Sequence, residues 1–171
     1  MTAVDLLKSL TTLLKGDRDG DDGIVGARIP GRVSEQGAWP EGVKVRRDPN
    51  ICFLDEITTP EVRLCLDAGG ATREQLTNGG VTRVSHVISV GLFRRVENED
   101  EFDAAQEWVN YVFELLKSVR SISNWTHNLP GEWQYLYDER SLSTQANGTE
   151  GITVVGPFYS LFTLTWSTKI G

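Results

Sequence analysis

Residues 81–96 read VTRVSHVISVGLFRRV. Val84, His86, Ile88, Val90 and Leu92 alternate onto one face of an extended chain. Ser85, Val87, Ser89, Gly91 and Phe93 take the other. Period-two patterning over so long a run predicts a strand from Val81 to Val96. Both faces mix apolar and small residues, which predicts a sheet covered on both sides, at least in part.

Working outward, the period then changes. Phe102, Ala105, Val109, Val112, Leu116 and Val119 recur at three and four, predicting a helix from about Glu99 to Val119. Asn98 is a good N-cap, and Glu101 three residues on makes a capping-box-like pair. Glu99, Asp100, Glu101 and Asp103 suit the positive end of the helix dipole, and Lys117 and Arg120 the other. That gives the acidic cluster a structural role. Beyond the helix, QYLYDERSLST (134–144) and GITVVGPFYSLFTLTWSTKI (151–170) read as strands. In the latter Phe162, Leu164 and Trp166 alternate with Thr163, Thr165 and Ser167.

Upstream, NICFLDEI (50–57) and EVRLCLDAG (61–69) are strand-like, and Asn78-Gly79-Gly80 is a turn signal. Val4, Leu7, Leu10, Leu13 and Leu14 form a helical stripe over Val4–Leu14, with Gly16 as its stop. Residues 16–50 are rich in glycine and proline and read as a loop-rich arm, with short strands around Gly23–Ile29 and Val43–Arg47. The expected fold is α+β: a mostly antiparallel sheet packed by one long helix, with a short N-terminal helix and the arm. A chain of 171 residues suits one domain over residues 1–171.

The formal net charge is −7, the wrong sign for non-specific grip on nucleic acid. Arg28, Arg32, Lys44, Arg46 and Arg47 cluster, but Glu35, Glu41 and Asp48 dilute them. No apolar run approaches the ~20 residues of a membrane span. The start, MTAVDLLKSL, lacks the charge and apolar core of a signal peptide. A cytoplasmic setting is therefore expected. Cys52 and Cys65 have no CxxC spacing and sit in apolar runs, so reduced, buried thiols are expected.

KGDRDGDDGIVG (15–26) opens like a calcium loop, with Asp17, Asp19 and Asp21 at ligand positions 1, 3 and 5. Gly23 arrives one residue late, and Arg28 stands where the bidentate Glu belongs. A solvated surface loop is the first reading; a weak cation site on those three aspartates is the second. His86 lies among Val84 and Ile88 and reads as a packed or interface residue, and His127 lies beside Trp125. No zinc-ligand spacing, nucleophile elbow, phosphate-binding glycine loop or HExxH occurs. No catalytic residue, metal ligand or cofactor is assigned, and the chain does not read as an enzyme.

Five tryptophans carry more weight. Trp108 and Trp166 suit a core. Trp125 and Trp133 fall in an expected loop beside proline and glycine, where tryptophans often anchor interfaces. Trp39, Arg46 and Arg47 lie on the arm. These five residues (Trp39, Arg46, Arg47, Trp125 and Trp133) are the expected interface set, and they point to a protein that works by contacting other subunits.

In order and pattern, most of the chain resembles the tail terminator (tail completion, or minor tail) proteins of tailed bacteriophages. The resemblance rests on the leading helix VDLLKSLTTLLKG and the post-proline strand TPEVRLCLD. It continues through the long strand that ends in Arg94-Arg95 before an acidic turn, the helix AAQEWVNYVFELLKSV, and the closing strand PFYSLFTLTWSTK. The resemblance implies an α+β subunit of a homo-hexameric ring on the last ring of the tail tube. Such a ring stops tube polymerisation and docks the head connector or stopper protein, and the sheath where the tail is contractile. DNA is then only cargo, and the protein belongs to the virion tail or neck after assembly in the host cytoplasm. Another phage neck or tail protein, such as a head–tail stopper or tube subunit, is the alternative; a small enzyme or ligand-binding domain is the third reading.

Overall fold

The computed structural model describes residues 2–15, 39–40, 42–49, 58–66, 70–122, 125–127, 134–137, 143–146 and 152–171. Helix α1 runs Ala3–Lys15. Thr2 and Asp5 cap it reciprocally. The Thr2 N–H donates to Asp5 Oδ2 at 2.7 Å, and the Asp5 N–H donates to Thr2 Oγ1 at 3.3 Å. That arrangement satisfies donors the first turn would otherwise orphan. These hydrogen bonds hold the Asp5 carboxyl below the usual range. The leucine stripe reaches the core through Leu6, Leu7, Leu10 and Leu14.

Helix α2 runs Glu99–Ser118. Asn98 caps it as expected, accepting from the Glu101 N–H at 2.9 Å. The return bond of the capping box is shifted by one residue: Glu101 Oε2 accepts from the Glu97 N–H at 2.8 Å. Its buried stripe is wider than the sequence pattern, adding Trp108, Tyr111 and Leu115 to Ala105, Val109, Val112 and Leu116. Aromatics flanking an apolar stripe lengthen the buried arc because they reach over it.

The strands are β1 (Lys44–Arg47), β2 (Glu61–Leu66), β3 (Thr72–Gln75), β4 (Thr82–Val96), β5 (Ser121–Ile122), β6 (Trp125–His127), β7 (Gln134–Tyr137), β8 (Ser143–Ala146) and β9 (Ile152–Ile170). Their order is β1-β2-β4-β9-β6-β5; β3 pairs with β4, and β7 and β8 pair with β9. Only β1 on β2 is parallel. The spine is the antiparallel pair β4–β9, in register from Thr82↔Ile170 to Val96↔Gly156. Strands β2 and β3 follow one another along the free side of β4. Strands β6 and β7 follow one another along the other side of β9, and β8 pairs with its first residues, Ile152–Val155.

One face of this sheet carries both helices. Ile88, Val90, Leu92, Phe162, Leu164 and Trp166 join the leucines of α1 and the stripe of α2 in one core. Edge-to-face ring pairs lock α2 onto β9: Phe102 on Phe158 and Phe113 on Phe162, at 5.9 and 5.4 Å between centroids. Helix α1 touches β1 and β2 at one end of the strand order and β5 at the other, so the sheet curls around the helices, as twisted sheets do. The α+β expectation holds: a mostly antiparallel, curled sheet with two helices among the described residues.

One local expectation is corrected, and one strand has no counterpart in the sequence pattern. Residues 125–127 are strand β6, not loop, because Trp125 is drawn into the core and its backbone pairs with Ser167 and Trp166 through Thr126 and His127. Thr72–Gln75, polar and without apolar alternation, is strand β3, held by pairing to β4 rather than by any buried face. The strand at 50–57, the one at Gly23–Ile29, Trp133, Cys52 and the aspartates 17, 19 and 21 lie outside the described residues, as does most of the 16–50 arm.

Candidate interaction surface

The four described members of the expected interface set do not converge. Trp39 is half-buried and lies edge-on to Trp108 and Tyr111 of α2, at 6.2 and 6.1 Å. Arg46 and Arg47 are neighbours on β1 and so point to opposite faces. Arg46 meets Glu61 at 2.8 Å, and Arg47 is exposed. Trp125 is 2% exposed. It lies at the far side of the sheet, edge-on to His86 at 5.5 Å. A side chain so deeply enclosed by its own chain is a core residue, and Trp125 is withdrawn from the interface set on that ground. The signal that separates it from a loop tryptophan is the threonine and histidine alternating after it, too short a run to read alone.

The sheet face opposite the helices holds a charged cluster that the sequence did not single out. Arg63 is nearly enclosed yet ion-paired with Glu61 at 2.8 Å and Asp48 at 3.3 Å, and its guanidinium stacks 5.2 Å from the Phe93 ring centroid. Glu61 thus bridges exposed Arg46 to buried Arg63. Pairing and stacking together offset the desolvation of a buried cation. Cys65, buried on the same face, donates its thiol to the Pro49 carbonyl at 3.0 Å. This cluster ties β1 and its following turn to the sheet, a positioning role rather than a reactive one.

Further along that face, the strand registers place Thr72, Ser85, Ser167, Thr126 and Ser121 in one lateral row across five strands. Ser89 and Thr163 pair two steps away. The row is neutral and hydroxyl-rich.

Burial lowers the affinity of His86 for a proton, and its neighbour is an indole. Burial also lowers that of Arg94, while nearby Glu101 opposes the shift. Among the described residues no group of three His, Cys, Asp or Glu side chains could hold a metal ion. Among them, too, no helix is long and apolar enough to cross a membrane.

The open strand edges are the remaining candidate contacts. Among the described residues, β1 pairs on one side only, and so do β3, β5, β7 and β8. The first four residues of β9, Ile152–Val155, pair among the described residues with β8 and not with β4, which ends opposite Gly156. Among the described residues, then, the β8–β9 ladder extends past the end of β4. Gly156 sits at that junction with φ 142°, a backbone region essentially closed to other residues.

Compared with known proteins, the chain matches no protein-family model and no curated protein sequence.

Proposed function

We propose that this protein is a ring-forming structural subunit of a phage tail, a terminator that caps the tail tube, ends its polymerisation and docks the head connector. One observation carries the reading: the order of elements, in which the long strand β4 ends in Arg94-Arg95, turns through acidic residues into α2, and is closed by β9 along its full length. In this reading α2 is the principal helix over the β4–β9 pair, and α1 is secondary. Open strand edges on both sides of the sheet support a protein that assembles with copies of itself through heterologous contacts. The acidic balance, and the neutral hydroxyl row across the sheet, suit a conduit that must not hold passing phosphates. The ring is hexameric, contacts tube and connector proteins, and meets the sheath where the tail contracts. The protein is not an enzyme, and its place is the virion.

Light scattering after size exclusion, with negative-stain imaging, tests this. A closed ring that binds the ends of tail tubes is expected. A monomer at high concentration that ignores tubes overturns the reading, and long self-assembled tubes would favour a tube subunit instead.

A further inference from the structure

We infer that the β8–β9 hairpin is the subunit-to-subunit contact: in the assembled ring, the hairpins of successive copies pair edge to edge into one closed sheet. The inference rests on the ring reading above and names the surface that builds it.

The open edges differ in charge. Strand β1 reads KVRR, β3 reads TREQ, and β5 is only the two residues Ser121–Ile122, too short to template a partner. Short edges bearing charge are the usual guard against strand addition. The hairpin strands read STQA and, at the start of β9, ITVV, without a charge or a proline. β7, which also pairs with β9, reads QYLY and is likewise unguarded. The chain therefore protects the edges of its main sheet on one side and leaves the hairpin and its neighbour receptive.

Geometry then selects the partner. The two hairpin strands are antiparallel, so its two open edges run in opposite directions. A second copy, rotated about an axis along the hairpin, brings its β8 edge against the first copy's Ile152–Val155 edge, again antiparallel. Repeating the rotation continues the same alternation until the sheet closes, and closure removes every edge. Isolated two-stranded hairpins are marginal in water; pairing on both sides supplies the missing hydrogen bonds. β-branched Ile152, Thr153, Val154 and Val155 suit a strand with neighbours on both sides.

Hydrogen exchange on the wild-type protein reads this directly. The amides of Ile152–Val155 should exchange at least about 100-fold more slowly in the assembled protein than after dilution below assembly. Two variants add an independent reading. Thr153→Pro and Val154→Pro each remove one N–H, and because successive N–H groups point to opposite sides, one of them is the outward donor. The outward one should reduce the mass to that of the protomer while the near-ultraviolet circular dichroism of the buried tryptophans persists. Thr153→Lys, which places a charge on the edge and keeps both hydrogen bonds, should weaken assembly in the same direction. Rings of unchanged mass in all three variants, or open-rate exchange at 152–155 within intact rings, overturn the inference and leave the ring reading standing. A wild-type monomer overturns both. If the proline variants lose the near-ultraviolet signal, the wild-type exchange and the lysine variant decide.

Discussion

Asn98 shows how much one side chain does at the mouth of a helix. It satisfies a donor of the first turn of α2, where the sheet hands the chain to the helix. Asn98→Ala should cost about 1 kcal/mol, read as a lower urea midpoint at unchanged slope. Gly156 is a different case, since its φ of 142° admits almost nothing else. Gly156→Ala should destabilise by about 1–3 kcal/mol through backbone strain, and a melting temperature equal to wild type would contradict that geometry. Trp125 packs as a core residue. Trp125→Ala empties a fully enclosed core position, and roughly 3–5 kcal/mol should be lost in the dissociated protomer. Loss of assembly with full protomer stability would restore it to the interface.

Pairings between elements govern the next level. The Glu61–Arg63–Asp48 cluster joins β1 and β2 on the face away from the helices. Arg63→Ala leaves Glu61 partly buried with one fewer partner, a change of roughly 3–5 kcal/mol. Arg63→Met, which keeps packing on Phe93, should recover part of that loss in the same denaturation experiment. His86, at the β4–β9–β6 seam, gives a pH dependence whose sign is set by burial. Its folded pKa lies below the unfolded value of about 6.5. The unfolded chain therefore binds the proton more readily in the window below pH 6.5, and stability falls there as pH falls toward the folded pKa. Above 6.5 the contribution is complete. Replacing His86 with Gln should flatten this part of the pH–stability curve; an unchanged curve would assign the slope to other groups.

For the molecule as a whole, the curl of the sheet matters most. It lets α1 bridge β1 and β5 and lets one core serve both helices. At this scale the two readings of the acidic stretch 15–26 can be told apart by chelation: the first, a solvated loop, expects thermal stability and assembled mass to be the same with and without a calcium chelator. A shift in either would favour the site on Asp17, Asp19 and Asp21.

Period and capping made β4, β9, α1 and α2 legible in the linear order of residues. A long alternation, a leucine stripe and an Asn-x-x-Glu start are local signals, and each depends on neighbours within a few positions. The short strands β3 and β6 were not legible, because they exist through hydrogen bonds to β4 and β9 and carry little pattern of their own. The interface set failed to converge for a related reason. Alternation sends Arg46 and Arg47 to opposite faces, and Trp125 is claimed by a core assembled from segments distant in sequence. Amino-acid order alone settled the charge, the helices and the central strands, since those follow from side-chain chemistry and local periodicity. Which tryptophans are buried, how Arg63 is neutralised and which edges stay open were settled only by the tertiary structure, because each depends on what a non-local strand register brings alongside.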